Sequence, residues 1–184
     1  MPRSVLILKE VNVFNFAKKN TNVTLVAPVT GTSILLENVK DRVFSSKVMG
    51  EGVAFVYEDD MVYSPCDGTL SVVFPTLHAF GVTCVNGAEV LIHIGIDTVN
   101  LKGEGFTCFV KQGDKVKAGD PIIKIDREFM KEKNIDLTTS VVISNHAQFT
   151  CLIEPTNKQV KASQDKIALI SKKRGKHEGN QKDQ

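Results

Sequence analysis

Glu89-Val-Leu-Ile-His-Ile-Gly-Ile-Asp-Thr-Val99 is the stretch on which the reading of this chain turns. With the period-2 alternation of a strand, Val90, Ile92, Ile94 and Ile96 share one face and Leu91, His93, Gly95 and Asp97 the other. Four branched aliphatics then point into a core while His93 looks away from it. The preceding stretch Phe74-Pro-Thr-Leu-His-Ala-Phe80, read the same way, puts Phe74, Thr76, His78 and Phe80 on one side. Hairpin pairing of the two segments sets the histidines side by side, with a hydroxyl and aromatic rings around them.

The rest of the chain repeats this texture. Short β-branched or apolar runs separated by Gly, Pro, Asn and Asp occur at 23–26, 53–57, 69–74, 82–84, 89–96, 106–110, 122–125, 141–143 and 166–170. Strands this short and this regularly interrupted predict an all-β sandwich or barrel of mostly antiparallel strands. One or two short helices are expected. Asp126 can cap a first turn in Asp126-Arg-Glu-Phe-Met-Lys-Glu-Lys-Asn134, and another turn of helix begins after Asp41. Two internal echoes point to related halves. Ala27-Pro-Val-Thr-Gly-Thr32 matches Ser64-Pro-Cys-Asp-Gly-Thr69, and Val116-Lys-Ala-Gly-Asp120 matches Val160-Lys-Ala-Ser-Gln164. Each is a turn followed by a strand, with Ser163 standing where the other copy has Gly119.

The chain has 184 residues, enough for one domain with a real core. The expected division is an N-terminal extension at 1–21, the β domain at 22–171 and a basic, disordered tail at 172–184. Within the extension, Val5, Ile7, Val11, Val13, Phe14 and Phe16 fit an added strand or an amphipathic helix. The net charge of +2 is unevenly spread, with 11 Lys and Arg against 17 Asp and Glu between Val23 and Pro155. An acidic body offers no basic stripe for phosphates, so nucleic-acid binding is not expected. Cys66, Cys84, Cys108 and Cys151 are dispersed without a CxxC pair, as in small core or loop residues of a reducing compartment. The opening apolar run, Val5 to Leu8, is too short for a signal-peptide core, and no stretch approaches a membrane span. A cytoplasmic protein is expected.

An imidazole titrates near neutrality, so a deprotonated ring nitrogen of His93 can accept a phosphoryl group. His78 and the Thr76 hydroxyl can then donate hydrogen bonds to the anionic oxygens in transit. A carboxylate beside a phosphate would repel it, and Asp97 is read as a turn-maker or orienter. A hydrogen-bonded structural histidine is the simpler reading for either residue alone; matching parity favours a site. Zinc is a further reading for His78 and His93, but catalytic zinc needs a third protein ligand. His93 is followed two residues on by Gly95 rather than a second histidine, and His78 four residues on by Val82, so zinc-peptidase motifs are missing. A zinc completed by a partner's carboxylate fits better, and no cofactor is required. No GxxxxGK[ST] loop is present, so ATP is not expected as the direct donor.

Through Ala27-Pro-Val-Thr-Gly31, Pro65-Cys-Asp-Gly-Thr69, Phe74-Pro-Thr-Leu-His-Ala79 and the long run from Leu91 to Phe106, the chain resembles the glucose-family enzyme IIA domain of the bacterial sugar phosphotransferase system. The resemblance runs from about Asn22 to about Cys151. It implies a β-sandwich of the duplicated-hybrid-motif type and a relay in which His93 takes a phosphoryl group from the phosphocarrier HPr. The group then passes to a cysteine of a IIB domain during sugar uptake, with membrane contact only indirectly, through IIBC. His78 resembles the family's second active-site histidine and Thr76 its hydroxyl partner. A shallow, exposed apolar docking surface is implied at Val43, Phe44, Val48, Phe74, Leu91 and Val99, with Asp41 and Asp97 on its edge. The competing reading makes some of these core residues, Val48 and Val99 in particular. A second function is a regulatory module whose phosphorylation state decides what docks near Phe44. Departures from the family pattern are the extension, the tail and Ser163-Gln-Asp165 in place of a Gly-Asp-Pro turn.

Overall fold

Alternation shapes the central strands as expected, and Val90, Ile92 and Ile94 are all fully buried. The computed structural model describes residues 22–173. Its strands are β1 (Asn22–Val26), β2 (Gly31–Leu35), β3 (Glu51–Tyr57), β4 (Met61–Tyr63), β5 (Gly68–Val73), β6 (Ala79–Cys84) and β7 (Glu89–His93) in the first half. The second half has β8 (Phe106–Cys108), β9 (Lys115–Val116), β10 (Pro121–Ile125), β11 (Thr139–Ile143), β12 (Phe149–Ile153), β13 (Gln159–Val160) and β14 (Lys166–Lys172). An eight-stranded sheet runs β13-β2-β3-β11-β7-β6-β5-β9, and two three-stranded sheets run β1-β14-β12 and β4-β10-β8. Neighbouring strands pair antiparallel.

The small sheets lie on one face of the large one. Leu25, Val62, Ile122, Ile123 and Ile170 from the small sheets join Phe55, Phe80, Ile92 and Val141 from the large sheet in a single core. Burying each such side chain contributes about 1.5–3 kcal/mol. The result is a β-sandwich. On the other face of the large sheet, Leu36, Val39 and Phe44 cover Ala54 and Val142. That cover comes from a 3₁₀ turn at Leu36–Asn38 and the one-turn helix α1 (Arg42–Ser45). The expected cap forms, the Asp126 carboxylate accepting from Phe129 N at 3.0 Å to start α2 (Arg127–Glu132), and at the expected turn after Asp41 that carboxylate likewise accepts from Val43 N at 2.8 Å.

The sequence echoes become edges of the large sheet. Val160 pairs with Gly31 at one end, and Val116 with Gly68 at the other. Matching hydrogen bonds follow: Gly119 N donates to Ser64 O, and Ser163 N donates to Ala27 O, each at 2.8 Å. Ser163 takes the positive φ of 62° that Gly119 meets with 90°. The second copy carries one extra residue, so the partner of Asp120 is Asp165, not Gln164: each carboxylate caps its turn, accepting from Lys117 N and Lys161 N.

Three expectations need correction. The strand at His93 stops there, because Gly95 turns the chain with φ of 74°, and Ile96 leaves the main core for the cluster beside Phe44. The segment 74–78 is a turn, since Leu77 adopts φ of 53° and its N–H donates to Phe74 O at 2.8 Å. Phe80 consequently faces the core, opposite Ile92, instead of sharing a side with the histidines. The β domain also extends past 171: Lys172 pairs with Phe149 in β14, and Lys173 N donates to Gln148 O at 3.0 Å. The extension at 1–21 and the tail beyond Lys173 lie outside the described residues.

Candidate active site

Two hairpins build the site. The β6–β7 hairpin closes through Gly87, with Asn86 Oδ1 accepting from Ala88 N at 3.0 Å, and its register places Ala79 opposite His93. The β5–β6 hairpin turns through 74–78, where Phe74 N donates to Ala79 O at 3.1 Å. Ile94 N then donates to His78 O at 2.8 Å, which ties that turn to the end of β7. The two imidazoles meet as expected from the sequence, with ring centroids 5.0 Å apart and planes at 82°.

Each ring is held on its far side. Thr76 Oγ1 lies 2.6 Å from His78 Nδ1, a short hydrogen bond, and the Phe74 ring stands edge-on to His78 at 5.2 Å. The His93 ring is hydrogen-bonded to the Gly95 backbone and tilts against Phe44 at 4.8 Å. An imidazole donating one N–H to a carbonyl presents its other nitrogen as a lone pair. His78 is 7% exposed and His93 half-buried. Burial lowers the pKa of both; His93 is lowered further by the neighbouring His78 and partly restored by the Gly95 hydrogen bond, Asp41 and Asp97. Both rings are therefore neutral at neutral pH.

Beyond His93 the chain is held by two hydrogen bonds. Ile96 N donates to Asp136 O at 2.8 Å, and the buried Thr98 hydroxyl donates to Ile94 O. Asp97 takes φ of 57° at the entry to the 3₁₀ turn Thr98–Leu101, the turn-making position expected for it. Asp41 caps α1 while acting electrostatically on His93.

The apolar surface is only partly what the sequence suggested. Val43, Val48 and Val99 are 49%, 81% and 46% exposed, so the core reading of Val48 and Val99 is wrong. Phe44, by contrast, is 4% exposed: it packs against the His93 ring and is not part of an exposed patch. Leu91 and Phe74 are half-buried, Leu91 on the same face of β7 as His93. One neighbour went unnoticed in the sequence. Ser140 of β11 pairs directly with His93 and is 2% exposed, and nothing in Thr138-Thr-Ser140 reveals this until β11 is placed beside β7. Among the described residues no group of three His, Cys, Asp or Glu side chains could hold a metal. The two imidazoles alone supply too few ligands for a closed zinc site.

The chain is thus a β-sandwich that sets two imidazoles edge to face at 5.0 Å, a pair of ring nitrogens chemically able to accept a small electrophilic group. The family model for the phosphoenolpyruvate-dependent sugar phosphotransferase system, EIIA 1, matches residues 23–149, and the chain belongs to that family of phosphotransfer proteins. A glucose-specific EIIA component from Oceanobacillus iheyensis is 49% identical over 135 residues, covering 73% of this chain and 82% of the relative. A beta-glucoside-specific EIIBCA component from Bacillus subtilis is 43% identical over 145 residues, covering 79% of this chain but 23% of that longer protein. The solved glucose permease IIA from Mycoplasma capricolum superposes with a TM-score of 0.75 at 35% identity, over 82% of this chain and 96% of the other. Among the described residues no helix is long and apolar enough to cross a membrane.

Proposed function

We propose that this protein accepts a phosphoryl group on His93 from the phosphohistidine of HPr and passes it to a cysteine of a IIB domain, at the cytoplasmic side of a sugar permease. The observation that carries this reading is the apposition of two neutral imidazoles at 5.0 Å, each with one nitrogen already committed. The free lone pair of His93 attacks phosphorus, an N–P bond forms, and the donor's N–P bond breaks to release a neutral imidazole. With the Thr76 hydroxyl donating to Nδ1 of His78, the His78 proton resides on Nε2, from where it donates to the transferred oxygens. Transfer onward reverses these roles with a thiolate as the nucleophile.

Val43, Val48 and Val99 give partners an apolar footing, and Asp41 and Asp97 at its edge favour basic ones. The same footing would serve regulatory partners that distinguish the phosphorylated from the free state. Zinc would bind only where such a partner adds a carboxylate to the two imidazoles. The relatives are named for different sugars, as expected if the sugar is chosen by the acceptor. Labelled phosphate supplied through phosphoenolpyruvate, enzyme I and HPr should move from this protein to a IIB domain. Label that reaches the protein but never a panel of IIB domains would refute the relay and leave the regulatory role.

A further inference from the structure

Cys66 lies in the turn that leads into β5, and Cys84 is the last residue of β6. Gly68, two residues beyond Cys66, pairs with Cys84 across the hairpin. The two Sγ atoms are 3.0 Å apart, in residues that are 1% and 3% exposed. Closing that gap to a bond of about 2.05 Å takes about 1 Å of movement. The backbone on both sides is fixed: Ser64 Oγ donates to Cys66 O at 2.8 Å, and Cys84 N donates to Ala88 O at 2.8 Å. The other two cysteines lack such a partner. The Cys108 thiol donates to Val110 O, and Cys151 is half-buried elsewhere in the sandwich.

We propose that Cys66 and Cys84 are a peroxide-sensitive dithiol that closes to a disulfide at the base of the hairpin carrying Thr76 and His78. Cys66 stays protonated at rest, because the adjacent Cys84 thiol and burial push its pKa well up, which suits it to the second, resolving step. Cys84, although 3% exposed, is among the residues lining an open cleft with Asp67, Gly68, Thr69, Thr83 and Val85, the route by which a small neutral oxidant would approach. The Cys84 sulfur attacks one peroxide oxygen, the O–O bond breaks, and the first water leaves, giving a sulfenic acid. The Cys66 sulfur then attacks the Cys84 sulfur; an S–S bond forms, the S–O bond breaks, and the hydroxyl departs with the Cys66 proton as the second water. Two thiols are oxidised and one peroxide is reduced to two waters.

Such a bond ties the strands below the turn without entering the histidine site. It should raise resistance to unfolding and leave phosphoryl acceptance intact. The inference stands on the thiol geometry and does not depend on the relay. The full chain would be treated with hydrogen peroxide, quenched, unfolded without reductant, alkylated and mapped by mass spectrometry. The expected product carries a Cys66–Cys84 cross-linked peptide, two alkyl groups where the reduced protein takes four, and a higher melting temperature that reductant reverses. Cys66→Ser and Cys84→Ser should each show no cross-link and no shift in melting temperature on oxidation. Alkylation of all four thiols after peroxide, a cross-link through Cys108 or Cys151 instead, or sulfinic acid at Cys66 or Cys84 without a cross-link would overturn the proposal.

Discussion

The His78 ring stands almost perpendicular to that of His93, at 82° and 5.0 Å between centroids, and it belongs to a turn while His93 ends a strand. In the proposed relay this difference in setting would separate their roles: His93, against Gly95 and Phe44, would be the acceptor, and His78, 2.6 Å from the Thr76 hydroxyl, the donor of a hydrogen bond. His78→Gln keeps an N–H donor but loses the imidazole. It should still take phosphate from HPr, yet pass it to a IIB domain at a rate lower by about 100-fold or more. Equal loss in both half-reactions, measured by rapid quench, would contradict this division.

A Thr76 hydroxyl donating across the 2.6 Å contact to Nδ1 would hold His78 in the tautomer that the proposed relay needs. Thr76→Val conserves shape and removes that contact, so onward transfer should fall by about 10- to 100-fold. Thr76→Ser should restore most of it. A valine variant that transfers normally would remove Thr76 from the account.

Both histidines have pKa values lowered by burial, and His93 further by its neighbour. Imidazole NMR titrations should therefore place both midpoints below the unfolded value of about 6.5. The sign for stability follows. Between the folded and unfolded pKa values the unfolded chain binds more protons, so this contribution is present above about pH 6.5 and is lost as pH falls through the folded values. A His93 midpoint above 6.5 would show that Asp41 and Asp97 outweigh burial.

Phe44 and Val48 separate packing from docking. Phe44→Ala opens a cavity under His93 and should cost about 3–5 kcal/mol of stability in a denaturant titration. Val48→Asp, at a position 81% exposed, should change stability by less than about 0.5 kcal/mol. Its effect should appear as a raised KM for phospho-HPr, and an unchanged KM would exclude Val48 from the docking surface.

Much of this arrangement was readable before any coordinates. Alternation at Val90, Ile92 and Ile94 gave the core face and turned His93 outward, and Asp41 and Asp126 marked both helix starts. The echoes around Gly31 and Gly68 pointed to related halves, though not to their place at the two edges of the large sheet. What failed has local causes. β2 reads Gly-Thr-Ser-Ile-Leu, too polar to announce a strand, and β9 and β13 are two residues each. The period-2 count across 74–80 broke because a leucine there takes a positive φ, which residue type does not advertise. Burial of Phe44 and exposure of Val48 depend on how α1 lies over the large sheet, a tertiary fact absent from local pattern.

The two halves also make a test of their shared turn. A Cβ added at Gly119, where φ is 90°, would lie 3.0 Å from Ser163 Cβ. Gly119→Ala should destabilise by about 1–2 kcal/mol, since an L side chain resists that backbone. Ser163→Gly should change stability by less than about 1 kcal/mol, relief of strain being offset by greater freedom in the unfolded chain. Denaturant midpoints of the two variants decide the matter; a neutral Gly119→Ala would contradict the strained-turn argument.

The most direct test of the central claim is to incubate the protein with phosphoenolpyruvate, enzyme I and HPr, then measure intact mass at neutral to alkaline pH and map the modified residue. One phosphate on His93, lost in acid, stable in base and absent from His93→Ala, is the predicted result. Phosphate retained by His93→Ala, or none on the wild-type protein while a control IIA is fully labelled, would contradict it.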